Sequence, residues 1–127
     1  MYQIDNQSRQ AVYEQIIAQV ERYVLLDVLT AGEKMPSVRN LSMQLNVNPN
    51  TVQRAYTDLE RLGVLAIAPA RGAFVADGAK ALLGERRTTV AQNQLRDLLK
   101  DLKQLGLSTD EILSFVQDAL KEGSKND

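Results

Sequence analysis

The sequence predicts a mainly α, α+β chain: three helices closed by two short strands, followed by a C-terminal two-helix hairpin. Three observations carry that reading. Apolar residues recur at three- and four-residue steps in several separate stretches. Two short β-prone stretches flank a loop containing Pro69, Arg71 and Gly72. The segments between helices carry the residue types that end one helix and start the next.

The elements follow in order. Tyr2 to Arg9 is polar and reads as an extended lead-in. Tyr13, Ile16, Ile17, Val20, Val24 and Val28 form one apolar stripe, which Thr30-Ala31-Gly32 ends. Met35-Pro36-Ser37 turns the chain, and Ser37 is placed to cap a short helix with Val38, Leu41 and Leu45 inside. Asn46 suits a left-handed turn between helices. Asn48 then reads as an N-cap, with Pro49 at the first helical position, where its missing N–H costs nothing. The third helix runs to Leu62 and stops at Gly63. Val64–Ala68 and Ala73–Ala76 are the strands. Composition shifts at Asp77-Gly78, so we expect one domain over 1–78 and a second over 79–127. Helix is expected from Ala79 to Leu105, where Gly106 ends it. Ser108 with Glu111 gives a capping box and Leu107 with Ile112 a hydrophobic staple before the last helix. The tail Gly123 to Asp127 is expected to fray.

Composition narrows the function. Of 127 residues 44% are apolar and 24% charged, a globular balance. The absence of cysteine excludes disulfides, thiolate metal sites and thiol nucleophiles. The absence of histidine removes the usual neutral-pH base and the commonest metal ligand. Neither a carboxylate dyad nor a lysine nucleophile is suggested by any spacing, so no catalytic residue, metal or cofactor is expected. No apolar run approaches the roughly 20 residues of a membrane span and no signal-peptide pattern opens the chain, so a cytoplasmic protein without a membrane partner is expected.

Net charge is −1, yet no acid occurs between Glu33 and Asp58, a stretch holding Lys34, Arg39 and Arg54 among many amides and hydroxyls. Either it is a footprint for a polyanion or a plain solvated face. The third helix decides more. At about 100° per residue, Val52, Ala55, Leu59 and Leu62 cluster on one side, and Asn50, Gln53, Arg54, Thr57 and Arg61 lie opposite. Amides, a hydroxyl and guanidinium groups are the groups that read base edges and phosphates. Acids begin at Asp58, outside the N-terminal half that a recognition helix puts into the major groove. Helix, helix, tight turn, helix and two-stranded wing is the outline of a winged helix-turn-helix. A solvent-exposed helix of a protein-interaction module is the competing reading. Arg39 reads equally as a DNA contact or an ordinary surface arginine, and Arg71-Gly72 as a minor-groove wing tip or a simple tight turn.

At this point the motifs carry a resemblance. Tyr13-Glu14-Gln15-Ile16, Met35-Pro36-Ser37-Val38-Arg39, Val47-Asn48-Pro49-Asn50-Thr51-Val52, Arg54-Ala55-Tyr56, Leu59-Glu60 and Arg71-Gly72-Ala73-Phe74-Val75 resemble the GntR family of bacterial transcription regulators over roughly residues 4–76. The short helical tail is similar to the YtrA-like branch, whose members are small dimeric repressors, often of transporter operons. The resemblance implies DNA contacts from Arg39, from Asn48, Asn50, Thr51, Gln53 and Arg54, and from Arg71 and Gly72; Ser37, in the motif with Arg39, and Thr57, on the outer face of the third helix, complete the candidate set. Three positions depart from the family pattern: Gln10-Ala11 where proline is common, Asp27 where glycine often ends the first helix, and Ser42 where alanine is usual.

Val90, Leu95, Leu98, Leu99, Leu102 and Leu105 line one side of the fourth helix, and Ile112, Phe115, Val116 and Leu120 the fifth. Such a hairpin is too small to bury its apolar faces alone. It either folds back on the first domain or pairs with the hairpin of a second chain; pairing doubles the buried area and is favoured. A homodimer sets two recognition helices about 34–36 Å apart and predicts a palindromic double-stranded DNA operator. Arg86-Arg87 reads as a solvated linker or a phosphate contact. An apolar cavity between the dimer helices could hold a small-molecule effector, although no residue indicates one.

Overall fold

The computed structural model of the chain describes residues 1–125, in the order α1 (Val12–Leu25), α2 (Val38–Leu45), α3 (Pro49–Arg61), β1 (Leu65–Ala68), β2 (Gly72–Val75), α4 (Ala79–Gln104) and α5 (Thr109–Lys125). It divides into two compact units, Met1–Arg86 and a second that begins at Arg87.

Four helices stop by one device. After α1, α2, α3 and α4, the residues Asp27, Asn46, Gly63 and Gly106 take φ of 60°, 54°, 84° and 96°. At the end of α3 the Gly63 amide donates to the Glu60 carbonyl (3.0 Å) and the Val64 amide to the Leu59 carbonyl (2.9 Å). The other three ends repeat this pair of bonds, which satisfies carbonyls a helix end leaves orphaned. Aspartate and asparagine tolerate the left-handed backbone better than most side chains, so Asp27 serves where a glycine is usual. That turn comes before Gly32 can act. The first helix therefore ends at Leu25 rather than near Thr30, Val28 is left 49% exposed, and Leu29 enters the core in its place.

The opening segment is also more than a lead-in. The Gln15 side chain is buried, and its carboxamide oxygen accepts from the Asp5 amide (2.8 Å) while its nitrogen donates to the Asp5 and Gln10 carbonyls (both 3.0 Å). So pinned, the segment buries Tyr2 edge-on to Tyr23, ring centroids 5.5 Å apart. Polarity concealed this, because the two residues that matter are a tyrosine at one end and a glutamine on α1.

Ile16, Val20 and Val24 of α1, Leu41 of α2 and Val52, Ala55 and Leu59 of α3 make the core, closed by Val64, Leu65, Ala73 and Val75 of the wing. β1 and β2 pair antiparallel, Leu65 opposite Val75 and Ala68 opposite Gly72. Residues 32–35 run along the other edge of β2: the Met35 amide donates to Ala73 O (2.8 Å) and the Val75 amide to Glu33 O (2.9 Å). Lys34 consequently stands opposite Phe74.

α4 starts at Ala79, and its first two turns place Ala79 and Leu83 in the core of the first unit. In the second unit Ser108 and Glu111 form the expected capping box, each backbone amide donating to the other's side-chain oxygen at 3.1 Å. Those bonds from Ser108 hold the Glu111 carboxyl below its ordinary range. α5 is helical from Thr109 through Lys125; the rest of the tail expected to fray, residues 126–127, lies outside the described residues.

Candidate nucleic-acid interface

The outer surface of α3 is set by how its ends are fixed. Ser37 Oγ accepts from the Asn40 amide (3.0 Å) and starts α2; Asn48 Oδ1 accepts from the Asn50 amide (2.8 Å) and starts α3. With Asn46 left-handed between them, the angle of the pair is built into the backbone. Inside, Val52, Ala55, Tyr56 and Leu59 are buried. Tyr56 is the inner residue that the sequence reading left unassigned. Its hydroxyl donates to Pro36 O (2.7 Å), tying α3 to the turn before α2, and burial pushes its pKa upward.

Asn50, Gln53, Arg54 and Thr57 are exposed on the opposite side, with Thr51 half-buried. Gln53 Nε2 donates to Thr57 Oγ1 (3.2 Å), and the Arg54 guanidinium sits over the Tyr13 ring, 3.7 Å from its centroid. Neither Gln53 nor Arg54 is packed inside. Arg61, further along, pairs with Asp58 at 3.7 Å, an exposed contact of little energetic weight. Ser37 and Asn48 are exposed as well, but their side-chain oxygens are occupied by capping bonds. Arg39 is exposed on α2. Ser42, the family departure beside it, is 4% exposed and donates to the Arg39 carbonyl (2.8 Å), so its hydroxyl is satisfied without a change of fold.

At the wing tip the Arg71 amide donates to Ala68 O (3.0 Å), closing a turn with Pro69 second and Ala70, φ 65°, third. Arg71 and Gly72 are both exposed. Gly72 has φ 114°, and a Cβ there would stand 3.2 Å from Lys34 Cε, so the lysine stem crosses the wing beside Arg71. Lys34 and Tyr13 are the neighbours of the predicted site that sequence reasoning did not assign to it. The acid-free stretch held a signal for Lys34; only the tertiary packing of α1 on α3 reveals Tyr13.

The ten apolar residues expected to pair between chains divide into two sets. Val90, Leu95, Leu98, Leu105, Phe115 and Leu120 are 51–76% exposed in the single chain. Leu99, Leu102 and Val116 are half-buried and Ile112 is 6% exposed, packed within the second unit. Arg86 is not a free linker residue: it is half-buried and donates to the Leu62 carbonyl at the end of α3. Among the described residues no group of three His, Cys, Asp or Glu could hold a metal ion, and no helix is long and apolar enough to cross a membrane.

Residues 12–75 match the gntR family of bacterial regulatory proteins. Over 130 aligned residues the chain is 36% identical to the HTH-type transcriptional repressor YtrA of Bacillus subtilis (strain 168), covering 100% of both. It superposes on a transcriptional regulator from Oenococcus oeni with a TM-score of 0.77 and 28% identity, over 92% of this chain and 97% of that one. The DNA-binding domain of AraR, solved in complex with operator ORE1, gives a TM-score of 0.52 at 23% identity over 57% and 89% of the two chains, a likeness of fold alone.

Proposed function

Because the chain belongs to the gntR family of bacterial regulatory proteins, and is a DNA-binding transcriptional regulator and no enzyme, we propose that it acts in the cytoplasm as a homodimeric repressor of a palindromic operator. One observation carries the DNA-reading assignment. The N-terminal half of α3 has no acid and presents Asn50, Gln53, Arg54 and Thr57 outward over a buried Val52, Ala55 and Tyr56. Such a surface offers paired donors and acceptors to base edges; the exposure of Arg39, Arg71 and Gly72 supports giving Arg39 a phosphate or base contact and the wing tip the minor groove. Residues 1–78 carry this task, and 79–127 carry dimerisation. The dimer is supported by the exposed apolar row of Val90, Leu95, Leu98, Leu105, Phe115 and Leu120, which water would otherwise face. Repression is supported by the name of the Bacillus subtilis relative.

Titration of a palindromic duplex at two salt concentrations tests DNA reading. Binding that weakens steeply with salt is expected, since phosphate neutralisation releases counterions. A flat response, or equal affinity for scrambled duplexes, points instead to a protein-interaction module. Sedimentation of Leu98→Glu and Phe115→Glu variants tests the dimer: monomers are expected, and an unchanged dimer overturns the pairing surface.

A further inference from the structure

Arg54 projects from the outer edge of α3, yet its guanidinium rests on a residue of α1. The Tyr13 ring lies in the first turn of α1, half-buried and packed against the core, with the guanidinium carbon 3.7 Å from its centroid. Stacking occupies the faces of a guanidinium and leaves its in-plane N–H donors open. Among the described residues no acceptor takes those donors. Gln53, its neighbour, is held differently, its Nε2 donating to Thr57 Oγ1. We propose that Tyr13 is a positioning residue of the DNA interface: its ring confines the Arg54 side chain so that the donor edge is presented before DNA arrives. This rests on the DNA-reading role proposed for α3. A free arginine loses the freedom of several rotatable bonds on contact, and a ring that has already restricted them removes part of that loss from binding.

The probe is the duplex that the full chain enriches from a library with a randomised core of about two helical turns, together with its single-base variants. Tyr13→Leu is expected to weaken binding about two- to tenfold. It also flattens discrimination at the same base pair that Arg54→Ala flattens. Tyr13→Phe keeps the ring face and restores both. The double variant Tyr13→Leu with Arg54→Ala binds no worse than Arg54→Ala alone. Arg54→Lys, an exposed change, is expected to reproduce the lost discrimination with the fold intact, because an ammonium has no planar donor edge.

Wild-type discrimination in both Tyr13→Leu and Arg54→Lys overturns the proposal, whatever happens to the melting temperature, and leaves the pair as a brace between α1 and α3. Loss of discrimination in Arg54→Lys with none in a folded Tyr13→Leu overturns it too, since Arg54 then reads without the ring. The underlying reading fails separately: in that case no duplex is enriched, or Gln53→Ala and Arg39→Ala bind as the wild type does.

Discussion

Arg86 of α4 donates to the main-chain oxygen of Leu62, the residue that caps α3. Around that bond the first two turns of α4 are fastened at several points. Leu82 Cδ2 stands 2.9 Å from where a Cβ on Gly63 would be, and Lys80 Nζ reaches Asp27 Oδ2 at 2.7 Å. Removing the guanidinium leaves a carbonyl without a charged donor. Arg86→Ala is therefore expected to lower the unfolding free energy of the first unit by about 1–2 kcal/mol, read by urea denaturation. A chain cut after Gly78 loses the burial of Leu83 as well and is expected to be less stable than one cut after Arg86 by about 2–3 kcal/mol or more. Equal midpoints for the two truncations would show that these turns contribute nothing.

Gln15 is a buried amide with three bonds to the main chain of the opening segment. Gln15→Ala strands the Asp5 and Gln10 groups and releases Tyr2, at an expected loss of about 2–3 kcal/mol. Hydrogen exchange should show residues 2–10 losing protection before α3 does. Uniform loss across the unit would contradict the pinning role.

Ala70 holds a left-handed backbone at the third position of the wing turn, φ 65°, where glycine carries no Cβ strain. Ala70→Gly is expected to stabilise the chain by about 0.5–1 kcal/mol, the strain relieved exceeding the added freedom of the unfolded state. A lower melting temperature would argue against the strain.

Burial, reinforced by Tyr23 and Glu33, pushes the Tyr2 phenol from 10.0 up to about 12, and Tyr56 shifts the same way. A phenol whose pKa is higher when folded favours the folded state fully below the unfolded value. That contribution disappears as pH rises through the folded one. Stability is thus expected to hold to about pH 10 and fall toward pH 12, with Tyr2→Phe unfolding at higher pH than the parent. A near-ultraviolet titration of the parent minus that of Tyr2→Phe should show the Tyr2 phenol ionising late, above 10.0. A difference that titrates at 10.0 before unfolding would refute the shift.

Much of this was legible in the order of residues. The cap at Ser37, the Asn46 turn, the Asn48-Pro49 start, the Gly63 stop and the Ser108–Glu111 box are local bonds within a few residues, so spacing alone reveals them. What escaped depends on distant partners. Tyr56 meets Pro36, Tyr2 meets Tyr23 and Arg86 meets Leu62 across separations of 20, 21 and 24 positions. The end of α1 escaped for a different reason: two stop signals compete there, and Asp27 acts before Gly32. In the proposed reading surface, outward direction was readable from helical periodicity. The support given to Arg54 by Tyr13 was not, because it requires knowing which face of α1 meets α3.

The pairing of residues 32–35 with β2 has a corollary. Both long edges of β2 are stitched, one to β1 and one to the chain that leads into α2, whereas Pro69, Ala70 and Arg71 at the tip lie outside that ladder. Substitution in the tip is therefore insulated from the scaffold, and what the wing presents there is free to change while the chain folds alike.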